Sequence, residues 1–243
     1  MLSIIGLGIG DEKDISLRGI EACRDSDEVV AELYTAMWQG DLKKLGTQTG
    51  KIIRVLERKD LEEGAAMLVE GARKRDIALL VPGDPLSATM HLNLVMEARK
   101  AKVPFRIIHS SSIMTAVAET GLSLYSFGRT ATVVRPQKGY KPTSFYEAGA
   151  LNREHGLHTL FLLDVDMSTK EGLEVLLAIE KKLRKGLMTP ETRVIAASRL
   201  GLAGSRILYG EAGSLLKKPL QPPAVLIVPG RMHFLEQEFL DSL

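Results

Sequence analysis

Short apolar segments alternate with longer amphipathic segments along the first half of the chain. The apolar segments are rich in β-branched residues and predict five strands, at 2–7, 27–33, 51–56, 77–82 and 105–109. The amphipathic segments predict helices over 14–24, 60–75, 87–101 and 112–120. Strands that alternate with helices in this way are typical of a parallel sheet with helices on both faces. The first half is therefore predicted to form an α/β domain.

The pattern changes at residue 121. Segment 121–129, GLSLYSFGR, contains two glycines and no helical period, which indicates a linker. A long helix is predicted over 169–185, and strands are predicted at 130–135, 158–164, 193–199, 206–209 and 224–228. The strands after residue 193 follow one another without an intervening helix, which indicates antiparallel pairing. We therefore expect two α/β domains, residues 1–121 and 122–243, the second with a mixed sheet.

Charge and cysteine content narrow the class of protein. Lys and Arg number 32 and Asp and Glu 30, and this formal net charge of +2 does not favour a nucleic-acid or membrane partner. The single cysteine, Cys23, excludes an intrachain disulfide, fits a reducing compartment and is predicted to be a small core residue. The start of the chain lacks a basic leader, and no apolar run approaches the roughly 18 residues of a membrane span. A cytoplasmic protein is expected.

A glycine-rich corner follows the first predicted strand. It contains Gly6, Gly8 and Gly10, whereas a dinucleotide-binding fingerprint places glycines at its first, third and sixth positions. The third glycine therefore comes one residue early. Two hypotheses explain this corner. It is either a tight turn without a ligand or a turn whose backbone approaches a ligand closely.

A second corner lies in residues 79–91, LLVPGDPLSATMH. Asp84 and Pro85 suit the cap and first position of a helix. They also follow a buried strand, and ligands of open α/β sheets bind beyond the carboxyl ends of strands. The two roles are compatible. After the fifth strand, the serines of 109–113 can cap the next helix or present hydroxyls to the same edge of the sheet.

The sequence contains no nucleophile elbow and no phosphate loop, and its histidines lack metal-ligand spacing. Asp164 and Asp166 have no third ligand nearby, so no metal is predicted. Chemistry that needs mainly the positioning of reactants fits this pattern.

Several segments together resemble one family. The chain resembles the diphthine synthases, a group within the tetrapyrrole-type methyltransferases. The matching segments are IGLGIGDEKDISLRG at 5–19, ELYT at 32–35, residues 82–91 and 109–113, GLSLYSFGRTAT at 121–132, PTSFY at 142–146, GLHTLFLLD at 156–164 and PPAVLIVPGRMHFL at 222–235. These segments span nearly the whole chain.

The resemblance implies two α/β domains with S-adenosylmethionine in the cleft between them, and a homodimer. It implies that the substrate is translation elongation factor 2, whose modified histidine carries a 3-amino-3-carboxypropyl group. Methylation of that amine, up to three times, gives diphthine in diphthamide biosynthesis, and eukaryotic members add a methyl ester.

Carried over by position, the family's cofactor contacts are Ile9, Asp84, Ser87, Ser112, Ile113, Leu163, Leu200 and Ala224. The chain departs from the family at Ser87, where valine is usual, at Met90, where threonine is usual, and over 198–204, which contains Leu200. We hypothesise that Asp84 is the main polar anchor of the cofactor. No catalytic base is identified, although Asp84, Asp164 and His109 are candidates by position.

Two other hypotheses about the function also fit the sequence. A methyltransferase of the same fold that acts on tetrapyrroles or ribosomal RNA would favour a basic cleft, which the net charge of +2 supports little. A nucleotide-binding module without catalysis would bind S-adenosylmethionine and transfer no methyl group.

Overall fold

The computed structural model describes residues 1–62 and 64–243. These residues divide into two compact units, 1–116 and 117–243. The boundary predicted from the sequence, at residue 121, lies within the second unit, and the identity of the units as separate domains stays a prediction.

The first unit contains a sheet in which every pairing is parallel. Its order is β3-β2-β4-β1-β5. All five predicted strands are confirmed, with ends that differ from the prediction by at most two residues. They are β1 Leu2–Gly6, β2 Glu28–Glu32, β3 Ile53–Leu56, β4 Ile77–Val81 and β5 Phe105–Ile108.

The helices of this unit differ more from the prediction. They are α1 Leu17–Asp25, α2 Leu42–Thr49, α3 Arg58–Glu62, α4 Ala65–Lys74, α5 Leu92–Lys100 and α6 Ile113–Ala116. Helix α2 was not predicted, and the predicted helix 60–75 corresponds to α3 and α4. Helix α1 begins at Leu17, rather than at residue 14, because the hydroxyl of Ser16 caps it by accepting from the amide of Gly19 at 3.1 Å.

Helices cover both faces of the first sheet, as predicted. Leu79 and Val81 of β4 pack with residues of α4 and α5, whereas Ala78 and Leu80 pack with residues of α1 and α2. This alternation follows from the two-residue period of a strand. Cys23 is fully buried on the α1 side, and burial raises the pKa of its thiol to about 12. It is a core residue, as expected.

The second unit contains the predicted mixed sheet, of order β6-β7-β10-β8-β9. Strands β6 and β7 are parallel, and the other neighbours are antiparallel. The strands are β6 Ala131–Val133, β7 Thr159–Leu163, β8 Arg193–Ser198, β9 Arg206–Glu211 and β10 Ala224–Val228. The helices are α7 Ser144–Glu154, α8 Thr169–Leu183, α9 Ala212–Leu215 and α10 Phe234–Asp241.

Three of these helices were not predicted. Helix α9 is a single turn between β9 and β10, so the expectation of strands with no helix between them was wrong at this point. In helix α7 the apolar residues do not follow the buried face, because Asn152 is buried whereas Leu151 is exposed. In the described parts of the chain, no helix combines the length and apolar character that a membrane crossing requires.

Candidate functional site

Three loops meet at the carboxyl edge of the first sheet, which we call the first edge. They follow β1, β4 and β5, which are adjacent and parallel and therefore end at the same side. The amide of Gly8 donates to the carbonyl of Gly83 at 3.1 Å, and the amide of Gly83 donates back at 2.9 Å. The amide of Ile9 donates to the hydroxyl of Ser111 at 3.1 Å. The two corners and the serine loop thus form one hydrogen-bonded cluster.

The glycines of this cluster are required by packing. A Cβ on Gly6 would lie 2.6 Å from the carbonyl oxygen of Gly83. Gly8 has a left-handed backbone, with φ +76°, and a Cβ there would lie 2.4 Å from the Cβ of Asp14. Gly6 is therefore required by the close approach of the loop after β4, and Gly8 by its left-handed turn and its contact with Asp14.

Asp84 has four hydrogen-bonding partners in two neighbouring loops. Its Oδ1 accepts from the amide of Leu86 at 3.0 Å and from the hydroxyl of Ser87 at 3.1 Å. Its Oδ2 lies 2.7 Å from Nδ1 of His109 and accepts from the amide of Ser110 at 3.3 Å. Asp84 therefore ties the loop after β4 to the loop after β5.

The prediction that a helix starts directly after Asp84 was wrong. Residues 85–91 form turns and bends, and α5 begins only at Leu92. Ala88 has φ +59°, a left-handed conformation that no α-helix contains. Asp84 stabilises a turn, and its side chain does not cap a helix.

The environment of Asp84 favours its ionised form. Burial alone would raise the pKa of this carboxyl, but the donors from Leu86, His109, Ser87 and Ser110 outweigh burial and lower the pKa. Asp84 is therefore a carboxylate at neutral pH. The side chain of Asp84 is 8% exposed, whereas that of His109 is 68% exposed.

The remaining predicted residues of the first unit also lie at the first edge. Ser112 is buried, and its hydroxyl accepts from the amide of Met114 at 3.2 Å, so the predicted capping by a serine is confirmed. Ile9, Ser87 and Ile113 are half-buried. The fold thus brings together the five residues of this unit that the resemblance indicated.

Leu163, Leu200 and Ala224 lie at one edge of the second sheet, which we call the second edge. Strand β7 ends at Leu163, and β10, which begins at Ala224, runs between β7 and β8 and antiparallel to both. Ala224 pairs with Ser198, the last residue of β8, and Leu200 follows two residues later, buried. Each unit therefore gathers its own predicted residues.

Asp164 and Asp166 are held by Arg135. The amide of Arg135 donates to Oδ2 of Asp164 at 2.8 Å, and its guanidinium pairs with Asp166 and, at 3.0 Å, with Glu171. The hydrogen bond from Arg135 lowers the pKa of Asp166. Among the described residues, no group of three or more His, Cys, Asp or Glu side chains could hold a metal ion.

Sequence reasoning missed a second polar pair beside the first edge. Glu32, the last residue of β2, is completely buried, and its Oε1 lies 3.3 Å from Nε2 of His91. Its Oε2 accepts from the amides of Tyr34 and Thr35, both at 3.2 Å. The ELYT segment is thus a turn closed by its own glutamate, and a carboxylate at the end of an apolar strand was the signal for it.

A model of the tetrapyrrole (corrin/porphyrin) methylases matches residues 1–216. The chain belongs to the tetrapyrrole methylase family. Within this family, it is 37% identical over 253 residues to a diphthine synthase of Methanocaldococcus jannaschii, which covers 100% of this chain and 98% of that protein. It is 36% identical over 251 residues to a diphthine synthase of Methanococcus aeolicus, with 100% and 98% covered.

A solved structure gives the same family relationship. A crystal structure of a diphthine synthase has a TM-score of 0.89 and 35% identity to this chain, covering 99% of this chain and 94% of that one. The tetrapyrrole methylase fold and the resemblance to diphthine synthases are therefore both confirmed.

Proposed function

We propose that the protein is an S-adenosylmethionine-dependent methyltransferase of diphthamide biosynthesis. Its substrate is translation elongation factor 2 that carries the 3-amino-3-carboxypropyl group on a histidine. The enzyme methylates the amine of that group up to three times and produces diphthine. The observation that carries this proposal is the full-length similarity to diphthine synthases, at 37% identity over 100% of the chain.

The proposed cofactor contacts are the residues of the two edges. They are Ile9, Asp84, Ser87, Ser112, Ile113, Leu163, Leu200 and Ala224. The apolar and small residues act through backbone groups and shape. Both oxygens of Asp84 already accept hydrogen bonds from the loops, so Asp84 anchors the cofactor through its negative charge and by holding the loop after β4 in place.

The charges at the first edge suit a cationic sulfonium. Its loops, 7–16, 82–91 and 109–112, contain four carboxylates, Asp11, Glu12, Asp14 and Asp84, and Lys13 as their only lysine or arginine. Nearby carboxylates favour a cation, whereas a nucleotide phosphate would require basic groups. This charge pattern also argues against a polyanionic tetrapyrrole or RNA at this edge.

The chemistry needs little beyond orientation and proton removal. When bound, S-adenosylmethionine supplies a methyl group on a positively charged sulfur, which a neutral amine can displace directly. The tied loops hold the site in one geometry, and orientation of this kind can contribute roughly 7–11 kcal/mol to lowering a barrier. The substrate amine must also lose a proton before it can attack.

The experiment measures the mass of elongation factor 2 that carries the aminocarboxypropyl group, after its incubation with the protein and S-adenosylmethionine. Three added methyl groups that survive base treatment are expected. A fourth, base-labile methyl would identify the eukaryotic type of reaction. No change in mass, with cofactor binding measured separately, would contradict the proposed substrate and favour the tetrapyrrole or RNA alternatives.

The role of Asp84 is tested by the Asp84→Ala variant. Because a charged contact and the tie between two loops are lost, we expect S-adenosylmethionine affinity to fall at least about tenfold by calorimetry. Asp25 is an exposed carboxylate at the end of α1. The control variant Asp25→Ala should bind S-adenosylmethionine with normal affinity. Unchanged affinity in Asp84→Ala would contradict the role as anchor.

We also propose a cytoplasmic homodimer with no nucleic-acid or membrane partner. The support is the resemblance and the near-neutral net charge of +2. Light scattering of the purified protein should give a mass of twice 26.6 kDa, and a mass of 26.6 kDa would contradict the dimer.

A further inference from the structure

His109 has the geometry of an oriented base. Its Nδ1 lies 2.7 Å from Oδ2 of Asp84, which is buried and ionised. A carboxylate can only accept a hydrogen bond, so in the neutral imidazole Nδ1 carries the proton and Nε2 keeps a free lone pair. No described residue forms a hydrogen bond with Nε2.

We propose that His109, oriented by Asp84, accepts the proton that the substrate ammonium must lose before each methyl transfer. This inference rests on the proposed function and names the base that the sequence left open. His109 stands directly before Ser110, Ser111 and Ser112, in the serine loop of the first edge. The base therefore lies among the proposed cofactor contacts of the first unit.

With this single base, the protons and electron pairs of each methyl transfer are accounted for. The ammonium gives its proton to Nε2, which leaves a neutral amine and an imidazolium. The lone pair of the amine nitrogen then forms the new N–C bond to the methyl carbon, while the C–S bond breaks and its electron pair remains on sulfur. The methylated nitrogen is again an ammonium, so three methylations require three deprotonations.

The exposure of His109 suits this repeated use. With 68% of its side chain accessible, the imidazolium can release its proton to water between transfers. His91, the other histidine near the first edge, is 6% exposed, and its Nε2 lies 3.3 Å from Oε1 of Glu32. It lacks this contact with solvent.

The other two candidates already accept hydrogen bonds through their carboxylate oxygens. Asp84 has hydrogen bonds on both oxygens and a lowered pKa, so it holds a proton weakly. Asp164 accepts from the amide of Arg135 through Oδ2. The titratable group that contacts His109 is Asp84. Asp14, on the loop after β1, contacts the neighbouring Ser110, whose hydroxyl donates to the carbonyl of Asp14 at 3.0 Å.

The test uses the full-length enzyme with aminocarboxypropyl-modified elongation factor 2. His109→Asn keeps a side-chain amide that can donate to Asp84 and removes the basic nitrogen. We expect kcat to fall by about 10²–10⁴, the usual effect of losing a general base, with unchanged affinity for S-adenosylmethionine. The fall of kcat/KM in acid that protonation of a histidine base produces should disappear in this variant, and added imidazole should restore part of the rate.

His155→Asn is the matched control. His155 is also exposed, and its Nδ1 lies 2.8 Å from the carbonyl of Leu151 in the second unit. This variant should keep the kcat and the pH profile of the wild type.

A second measurement does not depend on turnover. The ¹⁵N chemical shifts of the His109 ring should show the Nδ1–H tautomer in the wild type and a shift toward Nε2–H in Asp84→Asn. Predominant Nε2–H in the wild type would overturn the inference. So would full activity of His109→Asn, or a loss of activity that imidazole does not restore and that leaves the pH profile unchanged.

The wild-type reaction separates the two proposals. If wild type methylates the elongation factor and His109→Asn does so equally well, only the base assignment fails. If wild type does not methylate it, the proposed function fails and the base assignment falls with it.

Discussion

Gly8 and Gly50 share a left-handed backbone but have very different surroundings. A Cβ on Gly50, with φ +69°, would meet nothing within 4 Å, whereas one on Gly8 would lie 2.4 Å from the Cβ of Asp14. Gly50→Ala should therefore lower the free energy of unfolding only by the left-handed strain of roughly 1–2 kcal/mol. Gly8→Ala should lower it further, because the loop after β1 must move.

The two variants also separate folding from binding. Gly8→Ala should weaken S-adenosylmethionine binding, whereas Gly50→Ala should bind normally, both measured by calorimetry on the folded proteins. Equal binding by the two variants would show that the position of this loop does not matter to the cofactor.

At the scale of single residues, the sequence identified the important positions better than their roles. Asp84 was singled out by its place after a buried strand, and it does lie at the first edge. Its action on a turn and on His109 depends on a loop 25 residues away in the chain. Local pattern contains no information about such a partner.

Among the helices, α10 is held by one buried carboxylate. Glu236 accepts from the amides of Ser123 and His233, both at 2.7 Å, and lies 3.4 Å from Nε2 of His158. Burial alone would raise the pKa of Glu236, but these donors outweigh it and lower the pKa. The carboxylate thus joins α10 to two other segments of the second unit.

Glu236→Gln should lower the free energy of unfolding by about 1–3 kcal/mol, because a buried donor loses its acceptor. Hydrogen exchange of the Ser123 amide should also become faster. The exposed Glu238 lies on the same helix, and Glu238→Gln should change stability by less than about 0.5 kcal/mol.

The sign of the pH dependence follows from the lowered pKa. The unfolded state, with a glutamate pKa of about 4.3, binds more protons in acid than the folded state. The stabilisation from Glu236 is therefore complete above that pH and is lost as the pH falls through the folded-state value. In chemical denaturation at a series of pH values, the free energy of unfolding should fall less steeply in acid for Glu236→Gln than for wild type. An equal fall in the two proteins would contradict this assignment.

For the whole molecule, ligand-induced stabilisation separates a sulfonium site from a phosphate site. S-adenosylmethionine at 100 times its Kd should stabilise the folded protein by about 2.7 kcal/mol, seen as a higher Tm. ATP shares the adenosine but adds phosphates, for which the loops of the first edge offer Lys13 as their only lysine or arginine. ATP should leave Tm unchanged, and an equal rise with ATP would contradict the proposed cofactor.

The sequence by itself determined the ten strands, the parallel and mixed character of the two sheets and the family. These properties depend on β-branched segments, on hydrophobic period and on motifs, which are local along the chain. Helices α2, α7, α9 and α10 were not predicted. In α7, Asn152 is buried and Leu151 is exposed, so the apolar residues do not mark the buried face of the helix.

Only the tertiary structure decided how the first edge is built. It brought Gly8 against Gly83, Ile9 against Ser111 and Asp84 against His109, over separations of up to 102 residues. Because parallel strands end at the same edge of a sheet, the strand order β4-β1-β5 determines which loops lie next to one another. Strand order depends on long-range packing, and no local pattern in the chain specifies it.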